Sequence, residues 1–294
     1  MNYSNSRSDR LFDWINYAVL ALLSLSVIYP LYYVAVSSFS EPNMAGGSLL
    51  FLPKEFTLEG YNRIFSDASI WMGYRNTLLY TVLGTSLNIV LTLTAGYALS
   101  RRDMYGKNVF MFLIVFTMFF GGGLIPTYLL VKDLSMVNTI WAMIIPNAAS
   151  AFNIIITRTF FQTTLPGELL ESAQIDGCSD IRFFLRIALP LSLPIVAVVT
   201  LFYAVNHWNS YFNALIYLKD YELQPLQIIL RNILISNEIS EMFVEEVHDL
   251  AEQQRVLELM KFGVIVVASL PVLVLYPFLQ KYFVKGVMIG SLKE

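Results

Sequence analysis

The chain has 294 residues, of which 56% are hydrophobic and only 14% are charged, and its mean hydropathy is +0.59. Soluble domains carry about a quarter charged residues, so this composition indicates a protein whose solvent is lipid. A single cysteine, Cys178, excludes a disulfide framework within the chain and a four-thiolate metal site. The two histidines lie far apart in sequence, which argues against a histidine-based metal or catalytic cluster, and the net charge of -3 excludes nothing by itself.

Six stretches without Asp, Glu, Lys or Arg are long enough to cross a bilayer, which takes roughly 20 apolar residues. They cover residues 14–40, 76–100, 108–131, 134–157, 187–218 and 262–280. The first is too long for a secretory signal and no small-x-small cleavage site precedes a polar start, so we expect it to be retained. The sequence therefore predicts an all-α, polytopic membrane protein with six transmembrane helices.

The distribution of basic residues predicts the orientation of these spans. With the N-terminus in the cytoplasm, the inside segments carry 11 Lys and Arg and the longer outside segments carry 8. The cluster Arg101-Arg102, followed by Lys107, is the clearest inside signal. We therefore expect a multi-pass protein of the bacterial cytoplasmic membrane with both termini in the cytoplasm.

This orientation divides the chain into four regions. They are a cytoplasmic N-terminus (1–13), a first span with an outside loop (14–75), a core (76–285) and a cytoplasmic tail (286–294). Within the first outside loop, residues 58–70 fit a short surface helix. The core contains cytoplasmic helices at 165–190 and an acidic outside loop at 219–261. In that loop the spacing of Ile239, Phe243, Val247 and Leu250 predicts an amphipathic helix that covers the bundle or docks an outside partner.

The third span contains three consecutive glycines and a proline, Gly121-Gly122-Gly123 and Pro126. In a membrane such a run indicates either a kink or unwound turn whose backbone groups are satisfied by neighbours, or close packing of helices. The sequence leaves both open.

Polar side chains in the fourth and fifth spans are candidates for a substrate path. Amides in lipid usually face the bundle interior, and amides next to aromatic rings suit sugar hydroxyls and C–H faces. An interhelical hydrogen bond or an interfacial aromatic belt explains the same residues equally well. The candidates are Asn147, Asn153, Asn206, Trp208, Asn209, Tyr211 and Asn213.

A polar insert separates the fourth and fifth spans and has the signals of two short helices. Pro166 suits a first helical position, and Glu168 suits the first turn. Gly177 suits the left-handed residue that ends the first helix. Ser179 can cap the next, with Asp180 in its first turn and Phe183, Phe184 and Ile187 forming an apolar face. Glu171 and Asp176 then form the charged edge of a compact knob, and Pro190 marks the return to the membrane.

The same insert carries the pattern E-A-A, three residues, G, nine residues, I-x-L-P, with Ser172 in place of the first Ala. The matching residues are Glu171, Ser172, Ala173, Gly177, Ile187, Leu189 and Pro190, with Ile175 and Asp176 between them. In this pattern the chain resembles the permease subunits of binding-protein-dependent ABC importers. Other stretches, such as 120–128, 207–213, 225–231 and 276–283, resemble the carbohydrate-uptake (MalG-like) branch, and within it the LplC/YtcP-type oligosaccharide permeases.

The resemblance implies a type I ABC importer (MetI-like) permease fold. It implies that this chain and a second, different permease form the pathway for a carbohydrate. It further implies two copies of a cytoplasmic ATPase beneath them, a cleft on that ATPase that receives the helix around Ala173–Gly177, and an extracytoplasmic binding protein. The tail at Met288–Lys293 is a further candidate contact with the ATPases. ATP and Mg are then used by the ATPase, and no nucleic-acid partner is implied.

The chain lacks a G-x-x-x-x-G-K-[ST] phosphate loop. We therefore expect a transport subunit that binds no cofactor and is not an enzyme. The alternative is a secondary transporter or channel driven by an ion gradient, which usually needs ionisable groups inside spans. His207 is the only titratable imidazole near one. An intramembrane enzyme is the third option and lacks a candidate acid pair at membrane depth.

Overall fold

The computed structural model describes residues 7–41, 52–53, 55–242, 255, 258–274 and 277. Its regular elements are helices, with an isolated antiparallel bridge between Ser40 and Phe56. The helices are α1 (Arg7–Ser37), α2 (Glu59–Ser66), α3 (Ala68–Ser100), α4 (Lys107–Phe119), α5 (Leu124–Asp133), α6 (Trp141–Ile144), α7 (Ala151–Thr164), α8 (Gly167–Ile175), α9 (Asp180–Leu191), α10 (Leu193–Trp208), α11 (Phe212–Tyr217), α12 (Leu226–Met242) and α13 (258–274). A short 3-10 turn, Tyr221–Leu223, precedes α12.

The chain divides into two compact units, which are residues 1–68 with 230–270 and residues 69–229 with 271–294. In the first unit, α2 is the short helix predicted for 58–70, and it packs against α13. Ile64 of α2 is fully buried, and a methyl group on Gly263 of α13 would lie 2.7 Å from Ile64 Cδ1. Arg255 adds ion pairs to Glu41 and to Glu59 of α2. Close packing and one shared cation therefore join the two sequence segments of this unit.

The second unit is organised around α3, which begins eight residues before the predicted span because Arg75 interrupts the uncharged window. One face of α3 is buried and consists mostly of small or polar residues. Its members recur every three or four residues and are Gly73, Thr77, Tyr80, Gly84, Asn88, Thr92, Gly96 and Leu99. A methyl group at Gly96 would lie 2.7 Å from Thr157 of α7, and one at Gly84 would overlap the ring of His207 of α10. The small residues let neighbouring backbones approach closely, as membrane helices require in the absence of a hydrophobic driving force.

Two helices in the described residues, within Asp9–Ser37 and Ala68–Ser100, are long and apolar enough to cross a membrane without interruption. Two bent pairs raise this number to four, if each pair is counted as one span. These are α4 with α5, bent by 114°, and α9 with α10, bent by 83°. The predicted third and fifth spans are therefore not straight helices.

The glycines of the third span unwind the helix instead of packing it. Helix α4 ends at Phe119 and α5 begins at Leu124, with Gly123 at φ +85°. Nothing lies within 4 Å of where a side chain at Gly121 would begin. Of the two readings of the Gly121–Pro126 run, the unwound turn is confirmed.

The fourth predicted span, 134–157, is wrong as a continuous helix. The short α6 ends at Ile144 and α7 begins at Ala151, so residues 145–150 are unwound around Pro146. The uncharged window did not reveal this break because the backbone there bonds to other helices, which no local signal shows.

Some predicted features lie partly or wholly outside the described residues. Of the amphipathic segment at 239–250, residues 239–242 form the end of α12 and the remainder is outside. Of the sixth span, 262–280, residues 262–274 and 277 are helical. The tail at 286–294, including Met288–Lys293, and residues 1–6 of the N-terminus are outside.

Candidate coupling and substrate sites

The polar insert folds as the predicted helix–Gly–helix unit, here called the coupling hook (α8, residues 176–179 and α9). Gly177 has φ +75°, the left-handed conformation expected after a helix end. Its N–H donates to Gln174 O at 3.0 Å, and the N–H of Cys178 donates to Ala173 O at 2.9 Å. This pair of bonds is the Schellman arrangement, so local chemistry alone fixes the turn between α8 and α9.

One side of the coupling hook is anchored in the core of the second unit. Ala173, Phe183 and Ala188 are buried in one cluster with Phe161 of α7 and Val199 of α10, and Ile187 and Leu189 pack at its edge. The predicted apolar face of α9 is thus confirmed. Side chains of α3, α7 and α10 therefore pack around this side of the coupling hook.

The opposite side of the coupling hook is exposed and mixed in character. Ile175 is 87% exposed and Ile181 is 74% exposed, although both are apolar. Three polar members of the predicted motif are also exposed, namely Glu171, Ser172 and Asp176. Large apolar side chains left exposed beside polar ones are compatible with a protein interaction site.

Two of the predicted caps differ in detail. Pro166 has extended backbone, at ψ 143°, and therefore occupies the N-cap of α8 and not its first helical position. Ser179 occupies the N-cap of α9, but its side chain makes no cap hydrogen bond. Asp180 lies in the first turn as predicted. Its carboxylate accepts a hydrogen bond from Arg101 at 3.0 Å.

Arg101 joins the end of α3 to the coupling hook. Its guanidinium donates to Asp103 at 2.8 and 2.6 Å, to Asp180 at 3.0 Å and to the Tyr97 hydroxyl at 3.2 Å. The bonds from Arg101 lower the pKa of Asp103, and the same bonds raise the pKa of Arg101. A cavity of about 540 Å³ beside this cluster is lined by Arg102, Lys107 and Glu171, among others.

The coupling hook continues directly into the apolar helix α10. Helix α9 contains a π-helical turn at Phe184–Ala188 and ends just after Pro190. The chain then bends by 83° around the fully buried Ser192 and enters α10. The last part of the predicted motif, from Ile187 to Pro190, therefore lies in α9 immediately before the elbow that leads into α10.

Two adjoining clefts of about 480 and 630 Å³ lie at the far end of α10. They share Asn147, Phe202 and Asn206, and together they are here called the amide cleft. Asn209, Ser210, Tyr211, Phe212 and Asn213 complete one part, and Ser150, Phe152, Asn153 and Tyr203 belong to the other. Within the described part of the chain, its lining contains no Asp, Glu, Lys, Arg or His. The surface is neutral, rich in amides and flanked by aromatic rings, which suits hydroxyl-bearing ligands.

The structure brings six of the seven predicted substrate-path residues into the amide cleft. Trp208 is the exception, because it is buried and its ring packs 6.2 Å from that of Tyr74. The sequence analysis missed Phe202, although a signal existed. Phe202 and Asn206 are four residues apart on α10, which places them on one helical face, and Asn209 directly follows the last residue of that helix. Contact of these residues with a substrate stays a prediction.

His207 is buried on the opposite side of α10 and bonds to Asn88 of α3, with 2.7 Å between its Nε2 and Asn88 Oδ1. It is thus part of an interhelical hydrogen bond. Among the described residues, no group of three or more His, Cys, Asp or Glu side chains could hold a metal ion.

Comparison with known families decides the class of the protein. Residues 68–289 match the family described as "Binding-protein-dependent transport system inner membrane component". The chain belongs to this family. The match includes α3, the coupling hook and the lining of the amide cleft, so these sites lie in the part of the permease that defines the family.

Full-length relatives agree with the family match. This permease is 42% identical over 290 residues to Protein LplC of Bacillus subtilis (strain 168), covering 98% of this chain and 97% of the relative. It is also 42% identical over 286 residues to the polygalacturonan/rhamnogalacturonan transport system permease protein YtcP of the same strain, covering 97% and 99%. Both resemblances predicted from sequence motifs are confirmed.

A solved structure supports the fold. The crystal structure of a bacterial ABC transporter involved in the import of the acidic polysaccharide alginate contains a chain 32% identical to this one. It matches with a TM-score of 0.84, covering 95% of this chain and 98% of that chain. The permease is thus a helical inner-membrane transport component, and the prediction that it is not an enzyme is confirmed. The ion-gradient alternative gains no support from these relatives.

Proposed function

We propose that this permease forms half of the pathway through which a binding-protein-dependent ABC importer takes up an oligosaccharide, and that its coupling hook receives the motion of a separate ATPase. A second, different permease completes the pathway, two ATPase copies use ATP and Mg, and an extracytoplasmic protein delivers the sugar. In the proposed topology six segments cross the bilayer and both termini are cytoplasmic. The coupling hook then lies on the cytoplasmic side and the amide cleft toward the outer side. This permease binds neither ATP nor a metal.

One observation carries the proposal, namely the covalent and packed continuity between the coupling hook and the amide cleft. Helix α9 runs through one buried elbow into α10, whose far end lines the cleft. Ala173 and Phe183 pack in the same cluster as Val199 and Tyr203 of α10. Because protein interiors are close-packed and transmit displacement, a push on the exposed side of the coupling hook moves α10 as a body.

The chemistry of the amide cleft supports a carbohydrate substrate. Five asparagine side chains offer paired donors and acceptors that match vicinal hydroxyls, and the rings of Phe202, Tyr211 and Phe212 offer apolar faces. YtcP is named as a polygalacturonan/rhamnogalacturonan permease, and the solved relative imports alginate. We therefore propose fragments of acidic plant or algal polysaccharides as the first substrates to test.

The proposal is tested with the permease reconstituted in proteoliposomes together with its partner permease, ATPase and binding protein. Glu171→Arg reverses a charge on the exposed rim of the coupling hook and should abolish most uptake of labelled oligogalacturonides. Glu168→Arg, one turn earlier on the same helix, is the matched control and should retain most of it. Blue-native electrophoresis reports whether each variant assembles.

Uptake that is unchanged in Glu171→Arg, with normal assembly, contradicts the coupling role. Uptake that continues without ATP and stops when the proton gradient is collapsed contradicts importer function as a whole.

A further inference from the structure

The unwound segment between α6 and α7 contributes Asn147 and Ser150 to the amide cleft. Helical hydrogen bonds reach only its two ends, from Ile145 N–H to Trp141 O at 2.9 Å and from Ile154 N–H to Ser150 O at 3.0 Å. Residues 145–150 contain a single short-range bond within the segment, from Ala148 N–H to Ile145 O at 3.0 Å. Irregular backbone at membrane depth persists only where protein or a water-filled cavity satisfies its polar groups. The position of Asn147 in the cleft therefore depends on groups outside the segment.

The first such group is Asn88 of α3, which is fully buried. Its Nδ2 donates to the backbone carbonyl of Asn147 at 2.7 Å. Since the amide nitrogen is used in this bond, Asn88 Oδ1 is the atom that accepts from His207 Nε2, also at 2.7 Å. His207 thus carries a proton on Nε2 and fixes the orientation of the Asn88 amide, which in turn holds Asn147.

Gly84 makes this arrangement possible. It lies one turn before Asn88 on the same face of α3, and the space where its side chain would begin is occupied by the imidazole ring of His207. Only a residue without a side chain lets α10 approach α3 closely enough for His207 to reach Asn88. The close approach and the hydrogen bond are therefore one feature of the packing.

The second group is the hydroxyl of Tyr203 on α10, which is also buried. It accepts from the backbone N–H of Ser150 at 3.1 Å and shares a 2.7 Å hydrogen bond with Thr92 Oγ1 of α3. Ser150 Oγ in turn accepts from Asn153 N–H and caps α7. Asn88 and Thr92 are one turn apart, so α3 holds both ends of the stretch from Asn147 to Ser150.

We infer that Asn88, His207 and Tyr203 are positioning residues for the amide cleft, which fix the backbone from Asn147 to Ser150 and so determine where Asn147 presents its side chain. Of the three, only Tyr203 lines the amide cleft, whereas Asn88 and His207 act through the backbone carbonyl of Asn147. Only the identity of the ligand in the cleft rests on the proposed function.

Cysteine reactivity tests the inference without any transport. The assembled complex is placed in nanodiscs, with Cys178→Ser as background, and a reporter cysteine is introduced as Asn147→Cys or as Asn206→Cys. Both reporter positions line the cleft, but Asn206 lies on the regular helix α10. The rate of modification by the charged reagent 2-sulfonatoethyl methanethiosulfonate is then measured.

Tyr203→Phe and Asn88→Ala should each raise the rate at the Asn147→Cys reporter by about fivefold, the factor expected from losing one net hydrogen bond. The rate at the Asn206→Cys reporter should stay unchanged. Ser86→Ala removes an exposed hydroxyl of α3 that bonds within its own helix and is the matched control. Tyr203→Phe keeps the ring and its packing, so it remains informative if Asn88→Ala does not assemble.

Equal rates in Tyr203→Phe and its parent overturn the inference, and so does a rise of the same size at both reporters, which would mean general loosening. Uptake separates this result from the proposed function. A selective rise at Asn147→Cys in a complex that transports no sugar leaves the positioning role intact and removes the proposed substrate. Normal sugar uptake with an unchanged labelling rate contradicts the positioning role and leaves the proposed substrate intact.

Discussion

Arg101 Nη1 donates to Asp180 Oδ1 at 3.0 Å, and this bond joins residues 79 positions apart. Arg101 follows the last residue of α3, and Asp180 lies in the first turn of α9, so the helix that organises the second unit is tied directly to the coupling hook. The Arg101 side chain is only 13% exposed, whereas that of Asp180 is 65% exposed. The two partners of the pair should therefore respond very differently to substitution.

Asp180→Ala removes one solvent-exposed partner and should lower the free energy of unfolding by less than about 1 kcal/mol. Arg101→Ala also removes the bonds to Asp103 and Tyr97 and should cost about 1–3 kcal/mol. The unfolding midpoint of the purified complex, followed by scanning fluorimetry, shows which of the two variants is destabilised more. Equal shifts would mean that the Asp180 contact accounts for the whole contribution of Arg101.

The lowered pKa of Asp103 predicts that the stability of the folded protein depends on pH. The hydrogen bonds from Arg101 lower the pKa of its carboxyl below the ordinary value of 3.8. A lowered folded-state pKa gives stabilisation that is complete above the ordinary value and is lost as the pH falls through the folded value. The difference in unfolding midpoint between the unmodified chain and Asp103→Asn should be constant from pH 7 to about pH 5 and shrink below 3.8. A difference that persists undiminished at the acid end of the titration contradicts this origin.

Substitutions at Gly177 distinguish a requirement for its backbone conformation from a requirement for a small side chain. No atom lies within 4 Å of where its side chain would begin, so a substitution meets open space but must adopt φ +75°. Gly177→Ala should reduce sugar-stimulated ATPase activity by about fivefold, from a strain of roughly 1 kcal/mol. Gly177→Asn should lose less, because asparagine tolerates the left-handed region. If both variants are equally inactive in the assembled complex, a bare surface at the partner contact, and not the turn, is the requirement.

Gly84→Ala tests the close approach of α3 and α10. The added methyl group overlaps the His207 ring and should destabilise the complex by about 1–3 kcal/mol, the usual range for overpacking. Gly121→Ala places the same methyl group in open space and should change the unfolding midpoint little. The yield of assembled complex and its midpoint measure both. Equally small effects of Gly84→Ala and Gly121→Ala would show that α10 can move away from α3 without loss of stability.

The coupling hook was predictable because its signals are local. A left-handed glycine, an acidic first turn and a proline at a helix start each act within one turn, so their effect does not depend on distant residues. Even here two details were wrong, because Pro166 occupies the N-cap of α8 and the Ser179 side chain makes no cap hydrogen bond. The unwound turn before Gly123 was one of two open readings, and the space around Gly121 decided between them.

The break in the fourth predicted span escaped prediction for the opposite reason. A window without charges cannot reveal that Asn88 and Tyr203 satisfy the backbone of residues 147 and 150 from other helices. Trp208 was wrongly predicted to line the cleft for a similar reason. An aromatic residue next to amides is equally compatible with the cleft and with packing on Tyr74, which is where Trp208 lies. None of these three contacts, Asn88 with Asn147, Tyr203 with Ser150 and Tyr74 with Trp208, joins residues within 50 positions of each other.

The sequence by itself determined the class of the protein, the helix–Gly–helix unit at residues 166–190 and the amides available for a cleft. It could do so because composition, motif spacing and helix-end signals are read over short stretches of chain. The tertiary structure alone decided which amides gather around one cavity, where the spans break, and which side of α10 faces α3. Those features depend on hydrogen bonds and close glycine contacts between segments far apart in sequence, and such contacts exist only after the helices have packed.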